Sequence, residues 1–445
     1  MILLFFSLLF YAWWEPKYVF LMMFSIISDY IFGYYTAKYI AANDKKTAKR
    51  FVIASVVINL AILVFFKYTD FFIENLRWIP AFSELEPLGL SLPIGISFYT
   101  FQTMSYTIDI YRGHAKLQKN IVSFGAYVTA FPQLIAGPIV RYHTVSSQLT
   151  ERSEDIDNFA AGMRRFTAGL AKKVFIANTM AELCDNIFLK HSEGMAGQIG
   201  ALGIWLAVIA YTLQIYFDFS GYSDMAIGLA HIMGFHYGEN FDYPYISKSI
   251  TEFWRRWHIS MGTFFRDYLY IPMGGNRVSA PRWILNIMIV WFLTGLWHGA
   301  AWTFVLWGLY FGALLIAEKH ILKNNLLKIP VLNRLYTIFA FLFGWVIFRA
   351  ESIAHIGEIL SSMFGAYGAG DFAELAQNSL VKPLHLIMLF IGIILCAPVS
   401  KYIKKFLENS PAGEAVADAS SVAALLLCAL MLAQGSYNPF IYLRF

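Results

Sequence analysis

The sequence predicts an all-α, multi-pass transmembrane helical bundle that forms a single membrane-embedded domain over residues 1–445. Three observations support this fold class. Hydrophobic residues make up 58% of the chain and charged residues only 14%, whereas soluble domains carry about 25% charged residues. Apolar stretches long enough to cross about 30 Å of hydrocarbon recur along the whole length. Runs such as residues 51–66 also lack the polar alternation that is typical of transmembrane strands.

We expect about ten or eleven membrane segments, some of them re-entrant, and their orientation follows from the basic clusters. Lysine and arginine are retained on the cytoplasmic side, so residues 43–50, 112–119, 319–328 and 401–405 are expected there. The final apolar run leaves the last of these clusters and takes the C-terminus to the extracytoplasmic side. The N-terminal segment lacks a basic region and a small-residue cleavage site, so it is predicted to stay in the membrane.

The net charge of +5 does not indicate a nucleic-acid partner, because the basic residues lie in short clusters between apolar runs. Membrane lipids are the expected surroundings. Cys184, Cys396 and Cys428 lie in or beside apolar runs, at spacings that do not resemble those of a metal site. We therefore expect them to be small packing residues.

Two segments interrupt the pattern of spanning helices. Residues 131–141 (FPQLIAGPIVR) place two prolines and a glycine inside an apolar run, which predicts a broken or re-entrant element enclosed by protein or lining a cavity. Residues 252–270 combine an apolar stripe at helical spacing with charged residues. This pattern predicts one amphipathic helix at the cytoplasmic interface.

His298 lies in an apolar run, residues 283–317, that is too long for one ordinary span. A helix rises 1.5 Å per residue, so the stretch from Trp283 to His298 climbs roughly 22 Å, past the bilayer midplane. Basic residues at both ends predict a helical hairpin that starts and finishes on the cytoplasmic side and turns near His298. Ionisable side chains at such depth usually face a cavity or a partner, which makes His298 a functional candidate.

Three segments resemble the signature stretches of the membrane-bound O-acyltransferase family: residues 217–230 (FDFSGYSDMAIGLA), 239–275 and 294–302 (TGLWHGAAW). They look like the branch that O-acetylates alginate, peptidoglycan and cellulose. The resemblance implies a bundle around a central acyl-transfer tunnel, in the cytoplasmic (inner) membrane of a bacterium. It also implies acetyl-coenzyme A as the acyl donor, no bound cofactor, and an extracytoplasmic serine esterase-like acetyltransferase as the partner.

The resemblance assigns roles to two histidines. His298 matches the buried histidine that is the catalytic residue of the family, and His258 matches a second recurrent position on the cytoplasmic side. An imidazole with an ordinary pKa of about 6.5 suits removal of a hydroxyl proton as acyl transfer begins. The leaving thiolate is good enough that no metal is required. The alternatives are a histidine that only hydrogen-bonds across helices, for His298, and an interfacial polar residue, for His258.

Further residues of these segments are expected to meet the donor or to line the tunnel: Arg255, Trp257, Trp297, Asp218 and Asn240. The guanidinium of Arg255 would attract an anionic donor such as coenzyme A. Asp218 either supports a histidine from behind or pairs with a basic or hydroxyl group. For Asp29 and Asp109, which lie in or beside other apolar runs, we prefer the pairing role, which holds helices in register.

The last six residues, FIYLRF, resemble the C-terminal acyl-transfer motif of the polysaccharide-acylating branch. The tyrosine of that motif is proposed as a covalent acyl carrier, and Tyr442 matches it. The alternative is an aromatic anchor at the outer membrane interface. In the related D-alanyl transferases a similar motif is on a separate small subunit, so its presence in this chain favours the acetylating branch.

Three other functions remain open from the sequence. They are D-alanyl transfer from a carrier-protein thioester, acylation of a lipid or a protein, and membrane transport. Against transport, the sequence shows no repeat with broken helices at matching places in its two halves.

Overall fold

A computed structural model describes residues 1–322, 326–435 and 440–441, and over these residues the chain forms helices and loops but no strand. The predicted all-α fold class is confirmed. Two compact units can be distinguished. One contains Met1–Met163 and Ala226–Gly238, and the other contains Arg164–Met225 and the chain from Glu239 onward. The single acyltransferase domain expected from the sequence stays a prediction.

The first unit is built from the N-terminal helices, together with the start of α8 and the end of α10. Its helices are α1 (Ile2–Trp14), α2 (Val19–Ala41), α3 (Lys45–Leu76), α4 (Ile96–Arg112), α5 (Ile121–Thr129), α6 (Phe131–Leu134), α7 (Tyr142–Val145), α8 (Ile156–Ala171) and α10 (Ala196–Ile232), with a 3₁₀ turn at Pro80–Phe82.

Two buried carboxylates tie the helices of this unit together. Asp29 in α2 is fully buried and accepts hydrogen bonds from two side chains of α3, the hydroxyl of Ser55 and Nδ2 of Asn59, the latter at 2.6 Å. Asp109 in α4 lies 2.7 Å from Nδ1 of His143 in α7. A carboxylate inside an apolar bundle needs such partners. The pairing role predicted for both aspartates is confirmed.

The broken element predicted at residues 131–141 is also confirmed. Only Phe131–Leu134 is helical, and the chain then continues mainly in loop and turn conformations up to Arg141. Ile139 and Val140 are buried, so protein encloses this irregular backbone. Enclosure is what an interrupted segment at membrane depth requires, because its main-chain polar groups cannot face lipid.

The second unit contains the rest of the described chain. Its further helices are α9 (Asn178–Lys190), α11 (Ile250–Arg256), α12 (Ile259–Phe265), α13 (Ala280–His298), α14 (Trp302–Ala317), α15 (Pro330–Arg349), α16 (Ile353–Met363), α17 (Phe372–Gln377), α18 (Pro383–Leu395), α19 (Val399–Glu408) and α20 (Gly413–Gln434), with π-helical turns at Lys172–Ala177, His191–Met195, Arg266–Tyr270 and Glu318–Leu322 and 3₁₀ turns at Pro244–Ile246 and Leu326–Lys328.

Among the described residues, seven helices are long and apolar enough to cross a membrane, or eight if the bent pair formed by α18 and α19 counts as one span. Ile156–Ile232 counts once in this number, although its backbone leaves the helical conformation at Gly194 and Gly200. Helices α1 and α4 have only 13 and 17 residues. The ten or eleven membrane segments expected from the sequence were counted as apolar runs. An apolar run does not show where a helix bends or is too short to cross a membrane, so the number of runs exceeds the number of spanning helices.

The turn predicted near His298 is confirmed, while the cytoplasmic position of the two ends of the hairpin stays a prediction. His298 is the last residue of α13, and α14 begins at Trp302 after a link of three residues. The two arms touch through glycines. A Cβ at Gly295 would overlap the backbone of Phe304, and one at Gly308 would overlap the backbone of the facing arm. The end of α13 that carries His298 is therefore held against the start of α14.

We expect Gly295→Ala to destabilise the protein by about 1–3 kcal/mol, because the added methyl group meets a carbonyl oxygen that cannot rotate away. Gly357→Ala in α16 is the matched control. It also adds a methyl group to a helical glycine, but nothing lies within 4 Å of it, so it should be neutral or slightly stabilising. Thermal unfolding of the two purified variants tests this. Equal melting temperatures would contradict the close contact between the arms.

Candidate active site

The imidazole of His298 is enclosed by aromatic rings from three helices. His298 is 5% exposed. Its ring centroid lies 5.1 Å from that of Trp297 in α13, 4.9 Å from that of Trp307 in α14 and 5.3 Å from that of Phe348 in α15. All three rings stand nearly perpendicular to the imidazole. Such a shell keeps bulk water away from the imidazole.

His258 lies at a break in the helix predicted over residues 252–270. α11 ends at Arg256 and α12 begins at Ile259, and between them His258 adopts a left-handed conformation with φ 45° and ψ 54°. A residue in this conformation, which is rare for non-glycine residues, turns the backbone out of the right-handed helical path and so interrupts the helix. The continuous helix was therefore a wrong prediction. The side chain of His258 is fully buried.

Asn240 fixes the orientation of the His258 ring. Its Oδ1 accepts hydrogen bonds from the backbone N–H of Ser260 at 3.1 Å and from the Ser260 hydroxyl at 2.8 Å, while its Nδ2 donates to the hydroxyl of Ser223 at 3.1 Å. A backbone N–H can only donate, so the atom facing it must be the amide oxygen. Nδ1 of His258 lies 3.2 Å from the same oxygen and therefore carries the proton. The lone pair of the imidazole is then on Nε2.

Burial lowers the pKa of His258 from 6.5 to about 3. The ring is thus neutral at physiological pH. A neutral imidazole whose lone pair is on Nε2 can accept a hydrogen bond or a proton there. It does not offer a positive charge to an anionic molecule.

The ring of Trp297 lies beside both histidines. Its ring centroid lies 5.1 Å from that of His298 and 6.0 Å from that of His258. Phe219 of α10 covers His258 from another direction, with the ring centroids 4.7 Å apart. The structure therefore brings together four of the predicted site residues: His298, His258, Trp297 and Asn240.

Trp257 and the arginines beside it differ in their surroundings. Trp257 is buried, and its ring packs 4.8 Å from that of Trp345. Arg256 pairs with Glu252 at 2.9 Å and with Asp242 at 3.1 Å, so its charge is already paired. Arg255 is exposed. Of the two neighbouring guanidinium groups, that of Arg255 is therefore the better placed to meet an anionic molecule from solution.

Asp218 has partners outside this cluster that the sequence did not predict. It is 2% exposed, its Oδ1 lies 2.5 Å from Nζ of Lys173, and its Oδ2 accepts a hydrogen bond of 2.7 Å from the backbone N–H of Ile441. Successive residues of a helix point about 100° apart, so α10 can direct Phe219 to His258 and Asp218 to other neighbours. The pairing of Asp218 with a basic group is confirmed.

Glu318 holds the start of α11, a contact that the sequence did not reveal. It follows α14 and is 3% exposed, and its carboxylate accepts hydrogen bonds from the backbone N–H groups of Ile250 and Thr251. These groups begin α11, where unpaired N–H donors and the helix dipole favour a negative charge. The hairpin arm that follows His298 thereby holds the helix that precedes His258. The sequence showed only an acidic residue at the end of an apolar run.

Tyr442, the predicted acyl carrier, lies outside the described residues. Phe440 and Ile441, which precede it, are described and belong to the second unit. Ile441 is buried, and the ring centroid of Phe440 lies 4.9 Å from that of Tyr222 in α10.

Comparisons with known proteins extend over this site. The model of the membrane-bound O-acyltransferase family matches residues 112–356, which include both histidines. The chain is 42% identical to the "Probable alginate O-acetylase AlgI" of Pseudomonas aeruginosa, over 88% of this chain and 76% of that protein. It is 39% identical to the protein of the same name from Azotobacter vinelandii, over 99% and 93% of the two chains. A peptidoglycan O-acetyltransferase of Helicobacter pylori is 34% identical over 86% of this chain and 78% of its own.

Proposed function

The chain belongs to the membrane-bound O-acyltransferase family, and from this premise we propose that it O-acetylates a cell-envelope polysaccharide. The donor in this proposal is an acetyl thioester on the cytoplasmic side, acetyl-coenzyme A. The relatives named for alginate and peptidoglycan O-acetylation support the acetyl group and the class of acceptor. The basic clusters at residues 43–50 and 401–405 support the orientation in the inner membrane of a bacterium.

The observation that carries the proposal is the pair of buried imidazoles that share contact with Trp297. Acyl transfer to a hydroxyl requires a base at the attacking oxygen and a group that orients the thioester. In our proposal His298 is the base, since it lies at the turn of the hairpin inside an aromatic shell. His258 is the orienting residue, with its ring fixed by Asn240. Arg255 receives the anionic part of the donor from solution.

The first stage transfers the acetyl group to Tyr442. The phenolic oxygen of Tyr442 attacks the thioester carbonyl carbon while His298 takes the phenolic proton. A carbon–oxygen bond forms, the carbon–sulfur bond breaks, and the proton passes from His298 to the leaving thiolate. The products are an acetylated tyrosine and a free thiol, so atoms and charge balance without a further reactant.

The second stage returns Tyr442 to its starting form. A hydroxyl of an extracytoplasmic serine esterase-like transferase attacks the aryl ester, takes the acetyl group and leaves the phenol. That partner then places the acetyl group on the polysaccharide. A relay is needed in this proposal because the donor and the acceptor are on opposite sides of the membrane. The thioester is made in the cytoplasm, and the polymer lies on the other side of about 30 Å of hydrocarbon.

Transfer of labelled acetyl groups to the purified protein tests this function. We expect protein in proteoliposomes to become labelled by acetyl-coenzyme A, and unlabelled acetyl-coenzyme A to compete. A D-alanyl thioester on a carrier protein and long-chain acyl-coenzyme A should compete at least tenfold less well. Labelling by either of those donors alone would assign the chain to another kind of acyl transfer. Uptake of a solute into the vesicles without any acylation would point to a transporter.

A further inference from the structure

We propose that Lys173 and Asp218 form a receptor for Phe440 and Ile441 of the C-terminal segment and so position the next residue, Tyr442, for acetyl transfer. The inference rests on the proposed carrier role of Tyr442, and it concerns how the segment that carries this tyrosine is held. In this role Lys173 and Asp218 are positioning residues, since they act on the main chain beside Tyr442.

The first contact is made by the main chain of the segment. The backbone N–H of Ile441 donates to Oδ2 of Asp218 at 2.7 Å, across 223 residues of sequence. Ile441 is itself 4% exposed and belongs to the hydrophobic core of the second unit. A final stretch of chain that only anchored the protein at a membrane interface would have no reason to place a main-chain donor on a buried carboxylate.

The second contact is made by the lysine of the same pair. Nζ of Lys173 lies 4.8 Å from the centre of the Phe440 ring, which is within the range of a cation–π interaction. Tyr222, one turn further along α10 from Asp218, meets the same phenylalanine. Two consecutive residues of the segment are thus held by side chains of α10 and of the π-helical turn that follows α8.

The ion pair itself is costly to bury. The side chains of Lys173 and Asp218 are 8% and 3% exposed, and removing two charges from water costs free energy that their attraction does not reliably recover. An apolar pair of similar size would fill the space at no such cost. A hydrogen bond to a charged acceptor is stronger than one between neutral groups. The charge of Asp218 therefore strengthens its hydrogen bond with the N–H of Ile441, which an apolar pair could not bind.

Helix α10 contacts His258 as well as the C-terminal segment. Phe219 of α10 covers His258, and the preceding residue, Asp218, holds Ile441. A hydrogen bond to a backbone N–H fixes the register of the chain, whatever side chain that residue bears. Because Tyr442 is the next residue, a fixed register at Ile441 limits how far the tyrosine can reach from Asp218.

Cysteine cross-linking reports the docking of the segment without any need for activity. The rings of Tyr222 and Phe440 are in contact, so Tyr222→Cys combined with Phe440→Cys should be joined rapidly by a short bifunctional thiol reagent when the full chain is treated in lipid nanodiscs. Asp218→Asn removes the charge, and Ile441→Pro removes the N–H donor. We expect each to slow cross-linking by about 10- to 100-fold, as the loss of a hydrogen bond to a charged acceptor predicts.

Asp224→Asn is the matched control. Asp224 lies on the same helix and also pairs with a lysine, Lys172, at 2.5 Å, but it is not the residue that holds Ile441. This control should leave the cross-linking rate unchanged. Cross-linking that is equally fast in Asp218→Asn would overturn the receptor, and so would equal slowing in both variants, because the effect would then come from general loosening of α10.

The positioning role is tested separately, by measuring the rate of acetylation of Tyr442 in the chain without the added cysteines. Asp218→Asn should lower the rate constant for acetylation of Tyr442 by about the same factor as the cross-linking rate, with the KM for acetyl-coenzyme A unchanged. Lys173→Arg keeps the charge and should retain most of the rate. If the segment undocks but acetylation of Tyr442 keeps its rate, the positioning role is wrong. If Tyr442 is never acetylated while docking follows these variants, the carrier proposal fails and the receptor stands.

Discussion

The variant His298→Ala should lose acetylation of the polysaccharide while the protein still accumulates in the membrane. A general base contributes a factor of about 100 to 10,000 to a rate, so the remaining activity should fall below about 1%. The shell of Trp297, Trp307 and Phe348 would remain in place around the missing ring. Acetyl content of the polymer and the amount of protein in isolated membranes measure the two effects separately.

A second buried histidine provides the control for His298. His385 in α18 is fully buried, and its ring contacts Glu182 in α9 rather than the aromatic shell. His385→Ala therefore removes a buried imidazole from the same unit without touching the proposed base, and it should retain acetylation. Wild-type acetylation in His298→Ala would leave His298 as a packing residue. A loss in both variants at equal protein level would show that activity responds to any defect in packing.

Much of the hairpin could be predicted because local properties determine it. The length of the apolar run, the basic residues at both of its ends and the position of His298 between them are all visible in one stretch of sequence. The turn falls where these features place it, between α13 and α14. Positions of this kind follow from the cost of exposing charge to lipid, which depends on the residues of the run itself.

The environment of His258 could not be predicted, because it depends on contacts across the chain. The apolar stripe over residues 252–270 is real, but Asn240 binds the backbone and side chain of Ser260 and the ring of His258. Glu318 also caps the start of α11 from the end of another helix. The predicted amphipathic helix over residues 252–270 assumed a continuous helix, and in the structure the first helix ends before His258.

The partners of Asp218 also could not be predicted, because they lie far from it in the sequence. Its two predicted alternatives were a residue behind a histidine and a partner of a basic or hydroxyl group, and neither named the partner. The structure adds a backbone donor from Ile441, near the C-terminus, and a lysine from the turn that follows α8. Nothing in the pattern of the run that contains Asp218 indicates a contact with a residue 223 positions away.

The second large effect is expected for Tyr442→Phe, which should fold and insert normally but fail to acetylate the polysaccharide. The change removes one oxygen and keeps the ring, so an aromatic anchor survives it while a covalent carrier cannot. A phenol has an ordinary pKa of about 10 and needs a base to become a nucleophile at neutral pH, which the proposal assigns to His298. Its acetyl ester is then more reactive than an alkyl ester, because phenolate leaves more easily than alkoxide.

Mass spectrometry of the C-terminal peptide tests the carrier directly. Wild-type protein incubated with acetyl-coenzyme A in the absence of its partner should accumulate one acetyl group on the peptide that contains Tyr442, and Tyr442→Phe should show none. Phe445→Leu is the matched control, because it changes an aromatic residue of the same segment and leaves the phenol intact, so it should still be acetylated. The partner should remove the acetyl group, since its hydroxyl attacks the aryl ester. If Tyr442→Phe acetylates the polymer at the wild-type rate, the tyrosine is an anchor, and the acetyl group must leave the pocket of His298 by direct attack of another hydroxyl.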